Sequence, residues 1–223
     1  MNSALRETRV GSAARSRNWR GGTPSFWRHH TFGSPTYVSV GASTTDVVVQ
    51  PVTEDLMADV ADMRAAAAFE EAVFDRLAPT KKKKFAHQEL SRLQAMHVGG
   101  TGDARCLVAV VDGKAVGSVD VSAAKDEAIR DAGFDASSMG SDGMRSYHYV
   151  DNVVVREEWR GQGIGSALMA AVEEAAVSGV LLVRVELNNT DAVRLYSRMG
   201  YVGDCARQGS STVGVFCLMW KSV

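Results

Sequence analysis

Short β-branched runs alternate along the chain with stretches in which apolar residues recur every three or four positions, the pattern of an α/β protein. Val47, Val48 and Val49 predict a short strand ended by Pro51. Thr53 stands where it would cap a helix carrying Leu56, Val60, Met63 and Ala67, and the alanines at 65–68 extend that helix. Thr80 is placed to cap a second helix, with Ala86, Leu90 and Leu93 on one face. The β-branched runs 106–111 and 115–121 flank Asp112-Gly113-Lys114, and Asp-Gly is a strong hairpin signal. Residues 123–145 read as a polar loop with a short helix at 126–131. Residues 147–155 form the longest predicted strand. A Gly-rich turn then leads into a helix from about Ile164 to Val177, stopped by Ser178-Gly179. A strand over 180–187, a helix over 191–199 stopped at Gly200, and two strands over about 201–206 and 212–220 complete the pattern. No internal repeat and no interdomain linker follow residue 46.

Charge divides the chain unevenly. The first 45 residues hold six arginines, one acid and no lysine, a net of +5, so the remainder stands at −6. A mildly acidic folded part argues against binding nucleic acid by charge. The same 45 residues hold seven serines and six threonines and too few aliphatic residues to offset the entropy of ordering them. They lack the apolar core of a secretory signal, and their Arg- and Ser-rich, acid-poor composition is that of an organellar transit peptide. High Ser and Thr content favours the plastid, with the mitochondrion second. The expected division is therefore a disordered transit peptide over 1–45 and one domain over 46–223. No run of 18 apolar residues exists, so no membrane insertion is expected. Cys106, Cys205 and Cys217 form no C-x-x-C, which argues against a disulfide framework and a zinc site.

The candidate chemistry begins at Arg160-Gly161-Gln162-Gly163-Ile164-Gly165-Ser166, between predicted strand and helix. Glycines let a ligand approach the backbone, and the helix start offers unpaired N–H groups to an anion such as a diphosphate. No Gly-Lys-Ser/Thr is present, so this is no Walker A loop, and Ser166 occupies the sixth position of a Rossmann G-x-G-x-x-G. Taken alone, the turn is also consistent with a tight connection that binds nothing. Some 25 residues on comes Asn189-Thr190-Asp191-Ala192-Val193-Arg194-Leu195-Tyr196, followed by Gly200 and Tyr201.

Together these two segments resemble the GCN5-related N-acetyltransferase (GNAT) family. Arg160, Gly163 and Gly165 match its phosphate loop; Asn189, Ala192, Leu195, Tyr196, Gly200 and Tyr201 match its second signature. The resemblance implies a mixed central sheet of about seven strands, flanked by about four helices, whose fourth and fifth strands splay apart around acetyl-CoA. It implies no metal. Carried over by position, the backbone of Val153, Val154 and Val155 would bond the pantetheine arm in the manner of an added strand. The amides of Gly161, Gln162, Gly163, Ile164, Gly165 and Ser166 would hold the pyrophosphate beside Arg160. Asn189, Thr190 and Asp191 would touch the cofactor, and Tyr196 would protonate the departing thiolate. Tyr149 occupies the position of a base or water-holding residue. Arg184 stands where relatives often carry a histidine, and arginine is no base at neutral pH.

Other readings accompany these residues. Tyr196 shares a helical face with Ala192, Leu195 and Met199, so packing alone is also open to it. His148 should face away from Tyr147 and Tyr149 and serve structure. Glu186 is a further base candidate, though an ion pair with Arg184 is expected, and Lys81–Lys84 read as a solvated helix start. The resemblance to plastid members that acetylate lysines and protein N-termini implies a protein or peptide amine as acceptor. A small amine such as an arylalkylamine is the alternative, and a non-catalytic acetyl-CoA-binding module is a third reading.

Overall fold

Val47 and Val49 are buried while Asp46 and Gln50 are not, the alternation of a strand with one face on a core. A computed structural model of the chain describes residues 36–39, 46–70, 75–98, 104–123, 147–176, 179–203 and 216–223. Its strands are β1 (Thr36–Ser39), β2 (Asp46–Pro51), β3 (Ala104–Val111), β4 (Lys114–Ala123), β5 (Tyr147–Val155), β6 (Val180–Glu186), β7 (Val202–Gly203) and β8 (Phe216–Ser222). They form one sheet in the order β1-β2-β3-β4-β5-β6-β8-β7. Only β5 and β6 run parallel; every other neighbouring pair is antiparallel. The helices are α1 (Met57–Ala68), α2 (Ala78–Val98), α3 (Ile164–Ala175) and α4 (Thr190–Arg198).

Apolar side chains divide between the two faces of the sheet. On one face Leu168, Met169 and Val172 of α3 pack with Val119, Val121, Val150, Leu181 and Val183. On the other, α1 and α2 bring Val60, Met63 and Leu93 against Cys106, Val108 and Ala115. Gly117 on β4 sets how close α3 lies. A Cβ there would meet Ile164 and Leu168 at 3.0 Å and the Val154 carbonyl at 3.1 Å. The predicted hairpin joins β3 to β4 through Asp112 and Gly113 at φ 48° and 76°, both left-handed. Among the described residues, no helix is long and apolar enough to cross a membrane.

Four expectations change. β1 lies inside the 1–45 segment assigned to a transit peptide, pairing Thr36–Ser39 with Val49–Asp46, so the sheet gains an eighth strand. Thr53 makes no side-chain cap; a 3-10 turn at Glu54–Leu56 leads into α1 instead. α2 starts at Ala78, which puts Thr80 inside the helix. Cys217 is disulfide-bonded, against the reduced state expected of it, whereas buried Cys106 is a free thiol. Cys205, the predicted 126–131 helix and most of the polar loop around it lie outside the described residues.

A buried ion cluster ties α1, α2, β4 and β5 together. Arg64, 3% exposed, donates through Nη1 and Nη2 to the Asp120 carboxylate at 2.9 and 2.8 Å, and through Nε to Ser118 Oγ at 3.0 Å. Arg92 and Asn152 donate to the same carboxylate at 2.7 and 2.8 Å, and Glu89 accepts from both arginines. Burial by itself would raise the Asp120 pKa; Arg64 first, then Arg92 and Asn152, outweigh it and hold the carboxyl below its ordinary range. A depressed folded-state pKa stabilises the fold above the ordinary carboxylate range, and that stabilisation is lost as pH falls through the depressed value. Arg64→Leu leaves Asp120 charged, buried and short of its bidentate partner. Urea titration at pH 7 should show a loss of about 3–5 kcal/mol. A loss under about 1 kcal/mol would mean that Arg92 and Asn152 suffice.

Candidate functional site

The site begins where β5 leaves β6. The two strands pair from Tyr147↔Val180 to Val150↔Val183 and no further, although β5 runs on to Val155 and β6 to Glu186. Past Val150 the strands splay, as expected of the family's fourth and fifth strands, which here are β5 and β6. The cause is visible on the other edge of β5. Ser118 pairs Val154 and Asp120 pairs Asp151, so two residues of β5, Asn152 and Val153, stand opposite Val119 alone. This is a β-bulge, with Asn152 at φ 52° in the left-handed region that asparagine tolerates. Bulges bend the strand that carries them and can end its pairing. Val154 and Val155 therefore keep β4 on one side, and on the gap side this stretch of β5 has no strand partner among the described residues.

At the end of β5 the chain is clamped. The Arg156 amide donates to the Val116 carbonyl at 2.9 Å, its Nε to the Ala115 carbonyl at 2.6 Å, and its Nη2 pairs with Asp59 of α1. A 3-10 turn at Glu157–Trp159 follows. Gly161 and Gly163 then take φ 72° and 89°, a backbone that L side chains rarely adopt. Gly163 is the N-cap of α3, whose first turn carries no acid. The amides at Ile164, Gly165 and Ser166 consequently have no partner within the helix and point with its positive dipole end out of the turn. Gly165 also permits close packing, since a Cβ there would meet Leu195 of α4 at 3.1 Å. These features fit a pyrophosphate: bare amides, glycine backbone and no carboxylate at the helix start.

Arg160 and Gln162 are held inside the turn. Arg160 donates to both oxygens of Glu70 at 2.9 and 2.6 Å and to the Val155 carbonyl at 3.2 Å, while Gln162 donates to the Glu158 carbonyl at 3.0 Å. The Arg160 side chain is thus a brace between the turn and the end of α1. Asn189 ends the β6 connection, and its side chain accepts from the Ala192 amide at 3.1 Å as the cap of α4. Thr190 and Asp191 are exposed at the start of that helix.

Tyr196 is 4% exposed and packs 5.8 Å from the ring of Tyr201. Burial, and then the charge of Asp151, push its phenol up to about 12, so it remains a proton donor through the physiological range. Tyr149 is half-buried on the opposite face, in a cluster with Leu182, Leu218, Tyr147 and Trp220. His148 is 2% exposed, and burial lowers its pKa, which suits the structural role expected of it. Arg184 stacks over the Phe216 ring at 4.8 Å. Among the described residues no ion pair joins it to Glu186, contrary to expectation. Lys81–Lys84 are exposed at the start of α2, and Lys81 pairs with Asp75 at 2.8 Å.

Asp151 is the residue that sequence reasoning passed over. It is the first β5 residue beyond the last pair with β6, and it sits directly opposite Asp120. Its only sequence signal was a carboxylate in the middle of the longest predicted strand.

Residues 102–203 match the family model described as an acetyltransferase (GNAT) domain. The chain is similar to the GCN5-related N-acetyltransferase 6, chloroplastic, of Arabidopsis thaliana, 30% identical over 161 residues. That alignment covers 62% of this chain and 55% of the relative, so the chain spans little more than half the length of that protein. Among solved structures, the GNAT domain of S. lividans PAT superposes with a TM-score of 0.58 at 14% identity, covering 85% of this chain and 97% of that one. The PaiA N-acetyltransferase of Thermoplasma acidophilum, in complex with coenzyme A, superposes with a TM-score of 0.54 at 11% identity, covering 79% and 99%.

Proposed function

We propose that the chain, whose residues 102–203 match an acetyltransferase (GNAT) domain, transfers acetyl from acetyl-CoA to protein amines, lysine side chains or N-termini, by direct attack on the thioester. The observation that carries this reading is the forked pair β5 and β6, with an amide-lined turn at the end of one prong. In that fork the backbone of Val153–Val155 runs along the gap, where the Val153 groups and the Val155 amide face a pantetheine arm that would bond as a further strand does. The amides from Gly161 to Ser166 take the pyrophosphate, and Asn189, Thr190 and Asp191 border it at the end of β6. A β5 amide at the bulge supplies the donor for the oxyanion of the tetrahedral intermediate. Tyr149, on the acceptor side, holds a water against the incoming amine.

Tyr196 gives its proton to the leaving sulfur. A phenol held near 12 is a weak acid toward solvent. Toward a thiolate leaving a thioester, it donates a hydrogen bond that strengthens as charge develops on sulfur. The choice of a protein acceptor is supported by the resemblance to plastid members that use such acceptors. Offered acetyl-CoA, the protein should acetylate lysine or N-terminal peptides faster than an arylalkylamine; the reverse order would reassign the acceptor. Tyr196→Phe keeps the ring and its packing but deletes the hydroxyl. It should lower kcat by about 10- to 10³-fold with little change in acetyl-CoA affinity. Parental turnover by that variant from pH 6 to 9 would reduce Tyr196 to a packing residue.

A plastid location follows from the same proposal, supported by the basic, hydroxyl-rich start of the chain and by the chloroplastic relative. The cleavable part ends before Thr36, because removing β1 would uncover the edge of β2. Residues 1–35 fused to a fluorescent protein should carry it into plastids. Cytosolic fluorescence from that fusion would discard the location.

A further inference from the structure

Two carboxylates stand side by side at the mouth of the fork, in opposite circumstances. Asp120 on β4 is 5% exposed and receives hydrogen bonds from Arg64 of α1, Arg92 of α2 and Asn152 of β5. Asp151 is its cross-strand partner, so the two side chains leave the same face of the sheet. It is also the residue at which β5 parts from β6. Tyr149, two positions earlier, shares that face. On β6 the first residue past the last pair is Arg184, engaged by the Phe216 ring rather than by a carboxylate.

We infer that Asp151 is the proton acceptor for the amine in the acetyl transfer proposed above, receiving the proton directly or through the water held by Tyr149. The inference rests on that reading of the site. An ammonium acceptor loses one proton to Asp151, and its freed lone pair attacks the thioester carbon. The C–N bond forms and the C–S bond breaks. The surplus proton on the adduct nitrogen replaces the one that Tyr196 gives to sulfur. One proton in all leaves the site, from Asp151 to solvent.

The surroundings suit the task. Asp151 keeps a solvent-exposed side for proton release. Partial burial, and then the fixed charge of Asp120, raise its pKa, while Arg184 and Arg92 act against the rise. The other groups at the cluster are Arg64, committed to Asp120 and Glu89, then Glu89, which accepts from Arg64 and Arg92, and Tyr196, whose own pKa the Asp151 charge raises. Two neighbouring carboxylates whose pKa values are driven apart assign different roles to the two: Asp120 stays ionised as structure, and Asp151 exchanges protons. Because Asp151 acts as its carboxylate, activity falls as pH drops through its raised pKa.

The test is the pH profile of kcat/KM from pH 5 to 10, with CoA release followed by chromatography. The acceptors are an N-blocked lysine peptide and a peptide with a free N-terminus. With a base at Asp151, the parent reaches a plateau above the carboxylate range and holds it up to the pKa of the amine, about 10.4 for lysine. Asp151→Asn should lose about 10²-fold in kcat near neutrality. Its profile should climb tenfold per pH unit toward the amine pKa, because only amine already neutral can react. Acetyl-CoA affinity and thermal stability should stay at parental values, and Asp151→Glu should restore the plateau at reduced height. A variant that keeps the parental profile, at any height, overturns the inference and leaves the transferase reading standing. No transfer by the parent to either peptide overturns the reading on which it rests.

Discussion

A carboxylate taken out of water must find partners, and Asp120 finds them on three separate elements. Arg64, Arg92 and Asn152 each spend a donor on it, so the ionised group fixes α1, α2 and β5 relative to β4. Such a cluster is no bargain in stability compared with a well-packed apolar one, because desolvating the ions offsets much of their attraction. Its consequence is positional. The Asn152 side chain can reach Asp120 only from the bulge, where its backbone is left-handed, and the bulge is where β5 turns away from β6. The fork, the free β5 edge and the location of Asp151 all follow from that geometry.

The two faces of the sheet divide the work around the fork. On one side α3 sits close, admitted by Gly117, and brings the amide-lined turn to the end of β5. Tyr196 is packed on that side with Tyr201 and Leu195. On the other side lie Tyr149, Leu182 and Trp220, next to Asp151 and the ion cluster. In the proposed reading, an acyl donor entering the fork would meet Tyr196 on one side and Tyr149 with Asp151 on the other. Arg156, bound to Asp59 and the Ala115 carbonyl, and Arg160, bound to Glu70, anchor the turn to β4 and α1.

What was legible in the sequence is what depends on local backbone geometry. Gly161 and Gly163 mark a tight turn and Asp112-Gly113 a hairpin, and both pairs take left-handed backbone. The turn and the start of α4 could thus be read from short windows, and their joint occurrence pointed to the family. The ion cluster could not. Arg64 and Asp120 are 56 residues apart, and neither belongs to a motif that would announce the pair. Asp151 was hidden for the same reason: its importance comes from Asp120 opposite and from strands that part beside it. β1 was missed because four residues, Thr36–Ser39, earn their place only through pairing with β2. The helix starts moved by a few residues, since Thr53 and Thr80 are good caps in isolation but the packing of α1 and α2 set the ends elsewhere.

The fork as a seat for acetyl-CoA is the central claim, and amide hydrogen exchange reads it residue by residue. Val153 and Val155 turn their amides toward the gap, and Ile164, Gly165 and Ser166 lie at the start of α3. On saturation with acetyl-CoA, exchange should slow in both segments together, while the β2–β3 ladder on the far side of the sheet stays unchanged. Protection confined to other parts of the chain, or none in either segment at saturating ligand, would contradict it.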